Sequence, residues 1–225
     1  MTALEHATAA DWYACERLAH GIVHLHEHHI DPFYRCNIWF VAGRDGNLLV
    51  DSGLGAVSLV GQFPWLTERP LLAVASHAHF DHMGNIESFP NATFYIQERE
   101  LTKWIWAMSL PDRLRYMMVA TDPSDVLRAA DLARQGRLRL VDGDKQNVLP
   151  GIDLHAAPDT HTYGCQWVHV RNDLQAQSNN SWVLAGDLIY VYENIEGMGP
   201  EKMYIPVGLA LGSTTNLVLT TDEIM

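Results

Sequence analysis

The stretch "ASHAHFDHMGN", Ala75 to Asn85, places three histidines and an aspartate, His77, His79, Asp81 and His82, within six residues. Directly before it, "LLAVASH" is a short apolar run of the kind buried on both faces of a sheet, and its C-terminal end runs into the cluster. The histidines are therefore predicted on a loop leaving a buried strand, where a rigid sheet can aim closely spaced side chains at one point. Neutral imidazole and carboxylate suit zinc and related divalent ions. His77 and His79 are spaced to serve one ion. Asp81 and His82, further round the turn, are spaced to serve a second, with Gly84 letting the backbone bend tightly. The competing reading is a surface histidine patch. Three imidazoles and a carboxylate straight after a buried strand weigh against it.

Upstream, "NIWFVAGRDGNLLVDSG" reads as a hairpin: Asn37 to Val41 and Leu48 to Val50 are β-rich runs joined by a turn containing Asp45-Gly46-Asn47. Downstream, "ATFYIQ" reads as a strand. "ERELTKWIWAM" and "DPSDVLRAADLARQG" follow as helices, the second with Asp122 as N-cap and Pro123 at its first position. The later half is richer in strands, "LRLVD", "IDLHAA", "CQWVHV" and "SWVLAG", before a helix predicted to begin near Thr220. "NDLQAQSNNS", Asn172 to Ser181, reads as a surface loop between two strands. Mixed strands and helices without repeats or linker composition predict one layered α/β domain over residues 1–225.

A formal net charge of −12 argues against nucleic acid or an anionic membrane surface as partner. Cys15, Cys36 and Cys165 are odd in number, widely spaced and in no CxxC arrangement, which speaks against a disulfide framework or a cysteine zinc site. With no signal-like N-terminus and no run long enough to span a bilayer, the sequence predicts a soluble, cytoplasmic protein.

The "HAHFDH" segment resembles the HxHxDH signature of the metallo-β-lactamase superfamily, whose fold is an αββα sandwich with a two-metal site at one end of the packed sheets. Three further pieces resemble that family in its order. They are "LLVDSGLG" (Leu48 to Gly55), "PDTHTYG" (Pro158 to Gly164) and "VLAGDLIY" (Val183 to Tyr190). The resemblance implies two divalent ions, zinc first, with iron or manganese as alternatives. By it, His161 joins His77 and His79 at one metal, Asp81 and His82 hold the other, and Asp187 bridges them. Asp51 would support the ligands through hydrogen bonds. Such a pair of ions implies hydrolysis by attack of a bridging hydroxide. His79 stands where oxygen-reducing diiron relatives carry a glutamate, which favours a hydrolytic branch.

Within the superfamily, "NATFYIQERELTKW", "DGDKQNVLPGIDLHAAPDTHTYGCQWVHV" and "GDLIY" are similar to N-acyl homoserine lactonases, the quorum-quenching lactone hydrolases. That similarity implies a lactone or related small-molecule ester as substrate, with Asp81 and Tyr190 as catalytic residues. The Tyr190 phenol would stabilise the oxyanion or protonate the leaving alkoxide. The alternatives are a thioester hydrolase of the glyoxalase II type, a single-iron enzyme like the sulfur dioxygenases, and a non-catalytic binding protein with a degenerate metal site. Elsewhere, His24, His26 and His28 would share one exposed strand face, and "WIWAM" reads as a helix-borne core stripe.

The pattern departs from the family after Asp187. Members usually supply a last histidine to the second metal from a later loop, yet no histidine follows His169, and "NLVLTTDEIM" resembles the start of the helix before the final strand. The expectation is a sandwich lacking its last strand. Its second metal position would be weaker, filled in by water or a residue such as His28, and a second copy of the chain would cover the exposed edge as a homodimer.

Overall fold

The computed structural model describes residues 8–171, 181–208 and 211–225. The loop predicted from Asn172 falls, up to residue 180, outside the described residues. The strands are β1 (Tyr13–Arg17), β2 (Ile22–Glu27), β3 (Ile38–Val41), β4 (Asn47–Val50), β5 (Leu71–Val74) and β6 (Thr93–Gln97), then β7 (Leu138–Val141), β8 (Lys145–Leu149), β9 (Ile152–Pro158), β10 (Gly164–Arg171) and β11 (Ser181–Leu184). The α-helices are α1 (Leu59–Gln62), α2 (Phe80–Met83), α3 (Glu98–Met108), α4 (Pro123–Arg134), α5 (Glu193–Glu196) and α6 (Thr214–Ile224). Two sheets with interspersed helices meet the α/β expectation. The order is β1-β2-β3-β4-β5-β6-β7 in one sheet and β11-β10-β9-β8 in the other.

The chain divides into two compact units, Met1–Tyr95 with Ala120–Arg139, and Ile96–Val119 with Leu140–Met225. In the first, β3 and β4 form the predicted antiparallel hairpin, with Trp39 opposite Val50. The sheet then turns parallel: Leu48 pairs with Leu72 and Val50 with Val74, and β5 continues against β6. Every residue of β4 and β5 is buried, the signature of parallel strands covered on both faces. The cap on α4 forms as read: Asp122 accepts from Ser124 N at 2.8 Å, and Pro123 sits in the first turn.

In the second unit, β8 to β11 are antiparallel, with Trp167 opposite His155 and Val168 opposite Leu184. One face of this sheet packs Ala157 and Cys165 against Leu188, Val207 and Leu217 of α6. α6 begins at Thr214, a turn and a half before the predicted start. Ser213 caps it by accepting from Asn216 N, and buried Leu217 and Thr221 pin one face four residues apart. β8 was not predicted. Its five residues are polar or half-exposed and interrupted by a bulge, so they carry no alternating pattern. All three cysteines are free: Cys15 is exposed, while Cys36 and Cys165 are buried, and burial pushes both of those thiols up to about 12.

Candidate metal centre

β4 and β5 end side by side, and the centre grows from their C-terminal ends. Asp51 N donates to Val74 O at 2.8 Å, continuing the ladder by one bond, and the residue then enters the left-handed region at φ 62°, which aspartate tolerates. The turn places its carboxylate under the next loop. Oδ1 accepts from Ser76 N at 2.7 Å and Oδ2 from Ser76 Oγ at 2.7 Å. His82 Nδ1 lies 2.9 Å from the same Oδ2, and His77 Nδ1 lies 3.0 Å from Ser76 Oγ.

The proton inventory of this chain fixes the imidazoles. Ser76 has one hydroxyl proton and gives it to Asp51, so its oxygen accepts from His77 Nδ1–H, and Asp51 accepts from His82 Nδ1–H. Both rings then carry their lone pair on Nε2, the nitrogen a divalent ion takes. A carboxylate behind the imidazole is the arrangement that orients metal-binding histidines. The expectation that Asp51 supports the ligands matches this geometry, and Ser76, which the sequence reading did not single out, extends the support to His77.

His79 precedes α2 as its N-cap, and the His77 ring lies 4.6 Å from that of His79 and 4.0 Å from that of His82. Asp81 Oδ2 sits 3.6 Å from His82 Nε2. His77, His79 and His82 are only 0%, 2% and 2% exposed. Three buried imidazoles gathered with a carboxylate around one point are the donor types that a zinc-like divalent cation takes. The donor set of this unit therefore fits a metal. His28, considered as a substitute ligand, instead groups with Asp11 and His29.

Gly84 closes the turn, for a different reason than the one read from the sequence. Its backbone is helical, at φ −63° and ψ −26°, so no special conformation is required. What it needs is space, because a Cβ would stand 2.0 Å from the Leu54 carbonyl carbon. Gly84→Ala is expected to cost about 3 kcal/mol through overpacking against backbone, read as a lowered denaturation midpoint with unchanged slope; an unshifted midpoint would contradict the close approach.

The second unit carries the remaining predicted residues. His161 sits fully buried in the turn between β9 and β10, which closes through Asp159 N to Tyr163 O at 3.1 Å and Leu211 N to His161 O at 2.9 Å. Asp187 lies in the short turn after β11, with Oδ2 3.4 Å from His161 Nε2. Tyr190 OH donates to that oxygen at 3.2 Å, and its ring lies 5.9 Å from the His161 ring. So His161, Asp187 and Tyr190 converge here, as His77, His79, Asp81 and His82 do in the first unit.

Glu100 is the residue the sequence reading missed in this unit. It is 0% exposed on α3, accepting from Trp104 Nε1 at 2.7 Å, Thr162 Oγ1 at 2.8 Å and Gly164 N at 2.6 Å. It thus ties down the turn just after His161. The available signal was a carboxylate on the same helical stripe as Leu101, Trp104 and Ala107.

Comparison with known proteins bears on this geometry. The model of the metallo-beta-lactamase superfamily matches residues 31–218. The acyl-coenzyme A thioesterase MBLAC2 of Bos taurus is 32% identical over 163 residues, 63% of this chain and 56% of that protein; the Homo sapiens form is 31% identical over the same shares. The chain spans about half the length of these relatives. Among solved structures, AidC, a dizinc quorum-quenching lactonase in complex with a product, aligns with a TM-score of 0.65 at 17% identity, covering 95% of this chain and 86% of that one. The hydrolase AbOPH, described as in the beta lactamase superfamily, aligns at 0.64 and 16%, covering 94% and 84%. At such identities the likeness is one of fold.

Proposed function

Because this chain belongs to the metallo-beta-lactamase superfamily, we propose that it is a metal-dependent hydrolase of activated acyl esters. In this reading His77, His79 and His161 would hold one divalent ion and Asp81 and His82 a second, with Asp187 as a further ligand. The observation that carries it is the buried His77-Ser76-Asp51-His82 array, which orients two imidazoles with Nε2 as ligand atom. The imidazole-rich set favours zinc over harder ions. Bound there, such ions supply Lewis acidity toward an acyl carbonyl and make water a nucleophile near neutral pH.

The chain's own groups divide the remaining work. Asp81, partly exposed at the helix start, accepts the proton released as water attacks. Tyr190, through a phenol already beside Asp187, donates to the carbonyl oxygen as charge develops on it. Tyr190→Phe is expected to lower kcat about 10²-fold with KM little changed; an unchanged kcat would remove the tyrosine from the mechanism.

An acyl thioester is the substrate class we favour, because the relatives at 31–32% identity are acyl-coenzyme A thioesterases by name. A lactone is the second reading. It rests on Tyr190 lying three residues after Asp187 and beside it in space, with support from the fold of the lactonase neighbour. The deciding experiment is a kinetic panel on zinc-loaded protein, with acyl-coenzyme A followed by thiol release and acyl homoserine lactones by proton release. Preference for thioesters supports the first reading and preference for lactones the second. Turnover of neither, with metal bound, would overturn the hydrolase assignment. No helix among the described residues is long and apolar enough to cross a membrane. Cytoplasmic residence belongs to the same proposal, supported by the free state of all three cysteines.

A further inference from the structure

The second unit holds another cluster of ligand-type side chains, which the hydrolase reading does not use. Asp153 and His155 lie two residues apart on β9 and so face the same side of the sheet, and His169 on β10 stands directly opposite Asp153. This is the face on which Ala157 and Cys165 meet α6, further along the same two strands. One ligand atom from each of Asp153, His155 and His169 lies within 4.8 Å of the others.

The surroundings hold each ligand in a binding form. The His155 ring stacks on Trp167 at 4.0 Å and 11°, which fixes its plane. Its Nδ1 faces Asp144 Oδ2 at 3.5 Å, while its Nε2 is buried and makes no hydrogen bond. A carboxylate on one ring nitrogen and a buried, unpartnered second nitrogen is the pattern of a metal-binding imidazole. The His169 ring joins the same aromatic group, 6.3 Å from the His155 ring and 6.4 Å from that of Trp167. Asn147 N donates to Asp153 Oδ1 at 2.8 Å. Arg171 reaches both Asp153 oxygens, at 3.0 Å and 2.9 Å, and holds the carboxylate in place. An ionised carboxylate has about four lone-pair positions, so these donors leave room for a metal bond.

We propose that Asp153, His155 and His169 form a further site for a divalent transition-metal ion of the borderline class to which zinc belongs, stapling β9 to β10 across their registered pair. Two imidazoles and one carboxylate match that class better than calcium or magnesium, which take all-oxygen shells. The site shares no residue with the catalytic set and leaves its remaining coordination positions to water.

The test is zinc stoichiometry of the full chain after dialysis against buffered micromolar free zinc, measured by mass spectrometry for wild type, His169→Gln and His155→Gln. Each variant is expected to bind one equivalent fewer than wild type while keeping full acyl-ester hydrolysis, and His77→Ala is expected to keep the extra equivalent. Equal stoichiometry in wild type and both variants overturns the proposal. A measurement on unmodified protein covers the case of a misfolded variant. Zinc should protect His155 and His169 from diethylpyrocarbonate, mapped by peptide mass; modification of both at the same rate with and without zinc overturns it equally.

Discussion

Alanine in place of His77 is expected to lower kcat/KM by about 10³-fold, the several kcal/mol of transition-state stabilisation that a properly held ion supplies. The substitution removes more than one ligand. His77 donates through Ser76 to Asp51, the carboxylate that also orients His82, so its loss leaves the Ser76 hydroxyl with one partner fewer and loosens the support of the second ring. Metal content and turnover should therefore fall together, with less than the wild-type metal per chain by mass spectrometry. A variant that keeps both at wild-type levels would show that the imidazoles are packed for structure alone. Thermal melting in excess chelator separates the two effects. Without metal, wild type and variant should melt within a few degrees of each other; with metal, wild type should gain more than the variant, by about 4 kcal/mol at a thousandfold excess over the dissociation constant of the ion that His77 helps to hold.

The second large effect belongs to Glu100. Glu100→Ala is expected to destabilise the protein by about 3–5 kcal/mol, because three donors that end on one buried carboxylate lose their acceptor together. For a chain of this length that corresponds to a fall in Tm of about 10 °C. Glu100→Gln keeps the shape and one acceptor oxygen but turns an amide NH2 toward a donor, and should lie between wild type and alanine. Because Thr162 and Gly164 directly follow His161, the glutamine variant should also bind metal more weakly per folded chain. A Tm within about one degree of wild type for Glu100→Ala, well under the shift that even 1 kcal/mol gives, would mean that water replaces the carboxylate without penalty.

These two residues mark how far the sequence could be read. His77 was legible because its neighbours form a dense local pattern placed after an apolar run, and local patterns survive without knowledge of the fold. The β3–β4 hairpin and the Asp122 cap were legible for the same reason. Glu100 was not, since an acidic residue on a helix is ordinarily read as solvated, and only the approach of Thr162 and Gly164, more than sixty positions later, makes it structural. Ser76 and the grouping of Asp153 with His169 depend likewise on how strand ends and registers align, and a register shifted by one residue would have turned those side chains to opposite faces. Gly84 was noticed but explained wrongly: its dihedrals are ordinary, and the crowding by Leu54 comes from a segment thirty positions away.

The state of the cysteines makes the molecule convenient to handle. Thiolate is the species that alkylating reagents attack, and the two thiols pushed up to about 12 are both buried and protonated at neutral pH. Partial burial also raises the Cys15 thiol, against the pull of Arg17, but Cys15 is exposed on β1 and is the accessible position of the three. A maleimide fluorophore, spin label or surface tether would therefore attach at a single defined point without any cysteine being engineered in or out.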